Sequence, residues 1–152
     1  MALTDAQMKP TFISMLDYLN EHLEKDSVYD WILQETRVRG IPEMNITPEQ
    51  GRILNLLARL VNARKILEVG TLSGFSGVWM ARALPPDGRL ITCEVNPRHA
   101  QLAADSFAQA GVADKVEMHV GPAMETLSGL DLDGDLNMVF IDADKPNNWG
   151  YF

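Results

Sequence analysis

A chain of 152 residues, 46% of them hydrophobic, has apolar material for one domain with a packed core. Its formal net charge of -8 argues against DNA, RNA or an anionic membrane surface as a partner, because those surfaces are gripped by Lys and Arg. A single cysteine, Cys93, excludes an internal disulfide; with neither a basic-then-apolar leader nor a run of about 18 apolar residues in the sequence, a cytoplasmic protein is expected.

Residues 1–63 read as a helical part. Thr4 with Gln7 forms a capping-box start, and Met8, Phe12, Met15, Leu16, Leu19 and Leu23 follow at helical spacing. Ser27 with Asp30 is expected to begin a second helix that Gly40 ends. Thr47-Pro48-Glu49-Gln50 begins a third, with Thr as N-cap, Pro in the first turn and Gln folding back on the cap. Its apolar face is expected to carry Ile53, Leu54, Leu57, Leu60 and Val61.

From residue 64 to 152 the pattern becomes strand, turn, helix, repeated. Ile66–Val69 is a short apolar strand, and Phe75–Leu84 a helix with Val78, Trp79 and Leu84 facing inward. Leu90–Cys93 is the next strand, with Cys93 a small buried residue. Asn96-Pro97 caps a helix through Ala110, closed by Gly111. Val116–Val120 is a third strand, Gly121-Pro122-Ala123 opens a short helix, and residues 137–141 form a fourth strand. Apolar strands joined through helices imply a parallel sheet covered on both faces. Ligands of such sheets bind outside the carboxyl ends of the strands, which places the chemistry just after residues 69, 94, 120 and 141.

The unusual residues fall at those four places. Gly70-Thr71-Leu72-Ser73-Gly74 allows a sharp turn and close backbone approach, but lacks the tight G-x-G of a dinucleotide loop. Glu68 in the strand end would repel a pyrophosphate and could hold a cationic group. Glu94, at the end of the second strand, is placed to accept both hydroxyls of a ribose. An adenosine-containing ligand without a diphosphate follows. Asp142, Asp144 and Lys145 cluster beyond the fourth strand; the two acids alternate and cannot face the same way while that strand stays regular. His22, His99 and His119 are scattered and read as surface or strand-end residues without a metal set. Trp31 and Trp79 read as core. Asp131–Asp135 reads as a turn, since the terminal Glu of a calcium loop is missing.

The runs Leu67–Ser76, Glu94-Val95-Asn96-Pro97, Gly121-Pro122-Ala123 and Phe140–Lys145 resemble the metal-dependent O-methyltransferases that use S-adenosylmethionine, the caffeoyl-CoA and catechol O-methyltransferases among them. The resemblance implies an α/β, Rossmann-like parallel sheet with N-terminal helices, of which this sequence holds about four of seven strands. It implies Glu68 near the methionine ammonium, Gly70 and Thr71 along the methionine part, and Ser76 at its carboxylate. Glu94 would hold the ribose hydroxyls, the backbone of Ala123 would meet the adenine, and Met44 and Ile46 would line the cofactor. Asp142 would be a metal ligand, Asp144 a further acid of the cofactor or metal site, and Lys145 the group that helps deprotonate the acceptor.

The acceptor would be a small-molecule phenol or catechol, the ion Mg²⁺ with Ca²⁺ or Mn²⁺ as alternatives, and the assembly a homodimer. The family's remaining Asp-Asn metal ligands have no counterpart here. The sequence is therefore expected to be a fragment of a longer enzyme, or to have its fourth-strand edge covered by another chain. Two other functions stay open: a truncated, non-catalytic cofactor-binding or assembly module, and an NAD(P)-dependent oxidoreductase.

Overall fold

The computed structural model describes residues 18, 26–130, 132, 136–143 and 150. The expected first helix, the turn at Asp131–Asp135, Trp149 and the residues Asp144 and Lys145 lie outside that set, save for single positions. Among the described residues the order is α1 (Ser27–Val38), α2 (Pro48–Leu60), β1 (Lys65–Val69), α3 (Phe75–Ala83), β2 (Arg89–Glu94), α4 (Pro97–Gln109), a 3-10 turn (Ala113–Lys115), β3 (Val116–Val120), α5 (Ala123–Ser128) and β4 (Met138–Ile141).

The four strands form one parallel sheet in the order β3-β2-β1-β4. The chain runs outward from β1 through β2 to β3, then returns to pair β4 on the other side of β1. The direction of winding thus reverses between β1 and β4. In an open parallel sheet that reversal leaves a crevice at the carboxyl ends.

Side chains alternate along β1. Ile66 faces the main core with Ile32, Phe75, Val78 and Met80. Leu67 and Val69 face the other way, with Ile91, against Ala123 and Leu127. Glu68 shares the face of Ile66 and is buried there. The parity of one short strand therefore places a carboxylate on the side packed by α1 and α3.

Local capping explains the helix starts. Asp26, not Ser27, caps α1, because its side chain accepts from Val28 N at 2.9 Å. The capping box at Thr47 and Gln50 is formed in both directions. The packing face of α2 differs from the expected one. Ile53, Leu57, Leu60 and Val61 are exposed, and the buried positions are Gly51, Leu54 and Ala58. The small residues decide this: a β-carbon on Gly51 would stand 2.2 Å from the Trp79 ring, so only Gly lets α2 lie against α3. Trp79 is half-buried and stacks on Tyr29 with ring centroids 4.1 Å apart.

Candidate functional site

A cavity of about 720 Å³ opens at the carboxyl ends of the strands. That is within the range of small-molecule and cofactor pockets. Met44 and Ile46 border it from the segment before α2, and Gly70, Thr71 and Leu72 from the loop after β1. Ser76 borders it from the start of α3, Glu94 from the end of β2, Ala123 from the start of α5 and Asp142 from the end of β4. Six places flagged by the sequence thus meet at one space.

The loop after β1 is held by backbone bonds to both neighbouring strands. Gly70 N donates to Cys93 O at 2.9 Å, and Asp142 N donates to Val69 O at 2.9 Å. Gly70 has φ +95, and a β-carbon there would lie 2.3 Å from the Asp142 carbonyl oxygen. Close passage of the β1 and β4 ends therefore requires this glycine. At the start of α3 the first return bond is from Val78 N to Gly74 O. The amides ahead of it have no acceptor within the helix, and they carry the positive end of its dipole.

Glu94 is held from two sides. Leu72 N donates to its Oε2 and Asn96 N to its Oε1, each at 2.8 Å. The carboxylate is thereby oriented, and each oxygen keeps a further lone pair. Asn96 caps α4 by accepting from Arg98 N at 2.9 Å. Its neighbour in the first turn, His99, also borders the cavity and is half-buried, which corrects the expectation of a surface histidine. Asn96-Pro97 was the available signal: a helix capped there folds its first turn back over the strand end.

Glu68 does not border the cavity. Its Oε1 accepts from Ser76 Oγ at 2.5 Å and its Oε2 from Thr92 Oγ1 at 2.6 Å, beneath α3. Thr92 Oγ1 in turn bonds Thr71 Oγ1. A buried polar chain thus links the loop after β1 to the start of α3 through one carboxylate. Burial pushes the Glu68 carboxyl up to about 7, with the charges of Asp142 and Glu94 adding to the effect and the bonds from Ser76 and Thr92 opposing it. The Cys93 thiol borders the cavity and is pushed up to about 11, by burial first and then by Glu68. It stays protonated at neutral pH and is no nucleophile there.

Asp142 is exposed, and Glu94 is the only other carboxylate among the described residues bordering the cavity. Among the described residues no three His, Cys, Asp or Glu side chains converge as a metal site. Nor is any helix among them long and apolar enough to cross a membrane.

The sequence model of the O-methyltransferase family matches residues 19–152. The catechol O-methyltransferase of Mycobacterium tuberculosis is 49% identical over 111 residues, covering 73% of this chain and 50% of the relative. The O-methyltransferase TomG from Streptomyces achromogenes, solved in complex with SAM, is 44% identical and superposes with a TM-score of 0.80 over 87% of this chain and 60% of that one. The Bacillus cereus O-methyltransferase, solved in complex with SAH, is 37% identical with a TM-score of 0.85 over 90% of this chain and 63% of that one. The chain spans about half the length of the curated relatives it matches. By sequence and by fold together, the chain belongs to the O-methyltransferase family.

Proposed function

We propose that the cavity binds S-adenosylmethionine and that the protein transfers its methyl group to a phenolic or catechol-type hydroxyl. The carrying observation is Glu94: a carboxylate fixed at the cavity wall by two backbone amides, with lone pairs left for a vicinal diol. The solved relatives bound to SAM and SAH support the ligand class.

In this reading the amides at the start of α3, around Ser76, take the methionine carboxylate, as helix N-termini take anions. Gly70 and Thr71 run along the methionine part. Its ammonium falls to Asp142, since Glu68 stands behind the wall with both oxygens engaged. Ala123 meets the adenine through its backbone, and Met44 and Ile46 cover the ligand from the segment before α2. When bound, the cofactor supplies an activated methyl on a sulfonium. The chain fixes the sulfonium end near the β1 and β4 loops, where an acceptor aligned in line would meet it, and such positioning carries much of the rate.

A phenol titrates at about pH 10, so its proton has to be removed or its anion stabilised at neutral pH. We assign the proton to Lys145, with Asp144 as a further acid of the site. Asp142 is the assigned ligand of a divalent ion, Mg²⁺ first. One carboxylate does not fill an octahedral shell of oxygen ligands.

Calorimetry with S-adenosylhomocysteine against NADH tests the ligand, and a methyl-transfer assay with catechol and Mg²⁺ tests the reaction. Saturable heat with the first and none with the second supports the reading. Heat with NADH alone would overturn the proposed ligand in favour of a nicotinamide dinucleotide. Binding without transfer would leave a cofactor-binding module.

A further inference from the structure

We propose that His99 contacts the ligand in the Glu94 subsite, so that the two side chains offer one sugar hydroxyl an acceptor and a donor together. The inference rests on the adenosyl reading of the cavity and adds the residue that selects a ribose over a deoxyribose.

Asn96 sets the hydrogen-bonding roles of the neighbouring imidazole. Its Oδ1 accepts from Arg98 N at 2.9 Å, which assigns the other amide atom, Nδ2, as a donor. That Nδ2 lies 3.2 Å from His99 Nε2. A neutral imidazole accepts at one nitrogen and donates at the other. Nε2 therefore accepts, and the pattern assigns the ring proton to Nδ1.

Nδ1 lies 3.5 Å from Glu94 Oε1, beyond the span of a good direct hydrogen bond. Oε1 already receives Asn96 N at 2.8 Å. Nδ1 thus stands beside the carboxylate without a direct bond to it, in a side chain that is 19% exposed and borders the cavity. A hydroxyl both gives and takes a hydrogen bond. Lying to the side of the pair and within reach of both, it donates to Glu94 and accepts from Nδ1, and its loss from the ligand would leave Nδ1 without a partner. The nearby amides of Leu72 and Asn96 are already engaged with Glu94, and His99 Nδ1 is a donor beside it with no hydrogen bond of its own among the described residues.

The test is calorimetry of the full chain with S-adenosylhomocysteine and with its 2′-deoxy and 3′-deoxy analogues. His99→Gln and His99→Phe remove the donor at the Nδ1 position, and His99→Asn keeps one there. Loss of one such bond is expected to weaken S-adenosylhomocysteine about tenfold in the Gln and Phe variants. One of the two deoxy analogues should be nearly insensitive to the same substitutions, and His99→Asn should retain most of the affinity. An equal loss for all three ligands, or no loss, overturns the proposal. If the unsubstituted chain gives no heat with S-adenosylhomocysteine, the adenosyl reading fails at that step, before any variant is compared, and the role of His99 goes with it.

Discussion

Ser76 Oγ donates to Glu68 Oε1 at 2.5 Å, so the most buried carboxylate near the cavity spends its hydrogen bonds on the frame and not on the ligand. Thr92 takes the other oxygen and passes the connection to Thr71. Two walls of the cavity, the loop after β1 and the start of α3, are thereby tied to one point. An acid at the end of the first strand invites the reading of a direct cation partner. Its parity on β1, opposite to Leu67 and Val69, instead makes it a strut.

This strut carries a pH signature. The Glu68 carboxyl titrates at about 7, above its ordinary value of 4.5, mainly because burial disfavours the anion. The native state then holds a proton that the unfolded chain has already lost between those values. Its contribution is fully present below 4.5 and is lost as pH rises through about 7. The interval corresponds to at most about 3 kcal/mol. Urea unfolding of the unsubstituted chain and of Glu68→Gln across pH 4.5 to 7.5 checks it. The difference in stability between the two should move in favour of Gln as pH rises, and a pH-independent difference would refute the assignment.

Glu94 should dominate ligand affinity. Hydrogen bonds to a charged group contribute about 1.5–3 kcal/mol each. Glu94→Gln keeps the shape but removes the charge and one acceptor, and is expected to weaken S-adenosylhomocysteine by about 10- to 100-fold. The melting temperature without ligand should change little by comparison, because the Gln side-chain oxygen can still receive one of the amides of Leu72 and Asn96. Calorimetry paired with thermal melts separates the two effects.

Cys93 borders the cavity yet should be chemically silent. Its side chain is 1% exposed and its thiol is held up to about 11. Iodoacetamide at pH 8 is expected to label it only as fast as the protein opens, with full labelling in denaturant. Mass spectrometry over time gives the rate. Rapid labelling of native protein would mean that the cavity wall is open at β2.

What was legible in the sequence was local. Thr47 with Gln50, Asn96 with Pro97, and the glycines around Thr71 act within a few residues of themselves, and the helix starts and the loop after β1 lie where those signals put them. The convergence of Met44, Ser76, Glu94, Ala123 and Asp142 on one cavity follows from the parallel topology, which the alternation of strands and helices announces. What was not legible depends on partners far away in the chain. The face of α2 is chosen by the fit of Gly51 to Trp79, against the pull of Ile53 and Leu57. The burial of Glu68 depends on how closely distant helices pack on its face of β1, and the place of His99 depends on how the α4 start meets the end of β2. Neither is encoded in spacing alone.

Gly70→Ala probes the joint on which the whole site is built. At φ +95 a side chain is strained whatever the space, and here the space is filled by the Asp142 carbonyl oxygen 2.3 Å from the new β-carbon. Strain in a sparsely populated backbone region costs about 1–3 kcal/mol, and relief of the clash would have to separate the β1 and β4 ends as well. Those ends are paired from Ile66 with Met138 to Val69 with Ile141, and closed by the bond from Asp142 N to Val69 O. The substitution is therefore expected to destabilise the protein by at least about 2 kcal/mol. Amide exchange should rise at Asp142, whose donor bond to β1 is the nearest to the clash, while the β2–β3 pairing on the far side of the sheet keeps its protection. Gly111→Ala is the control, because at φ +66 nothing lies within 4 Å of its β-carbon, and it should cost less and leave Asp142 protected. Equal destabilisation of the two variants, with no local change in exchange, would show that the glycine serves only its own backbone and not the meeting of the two strands.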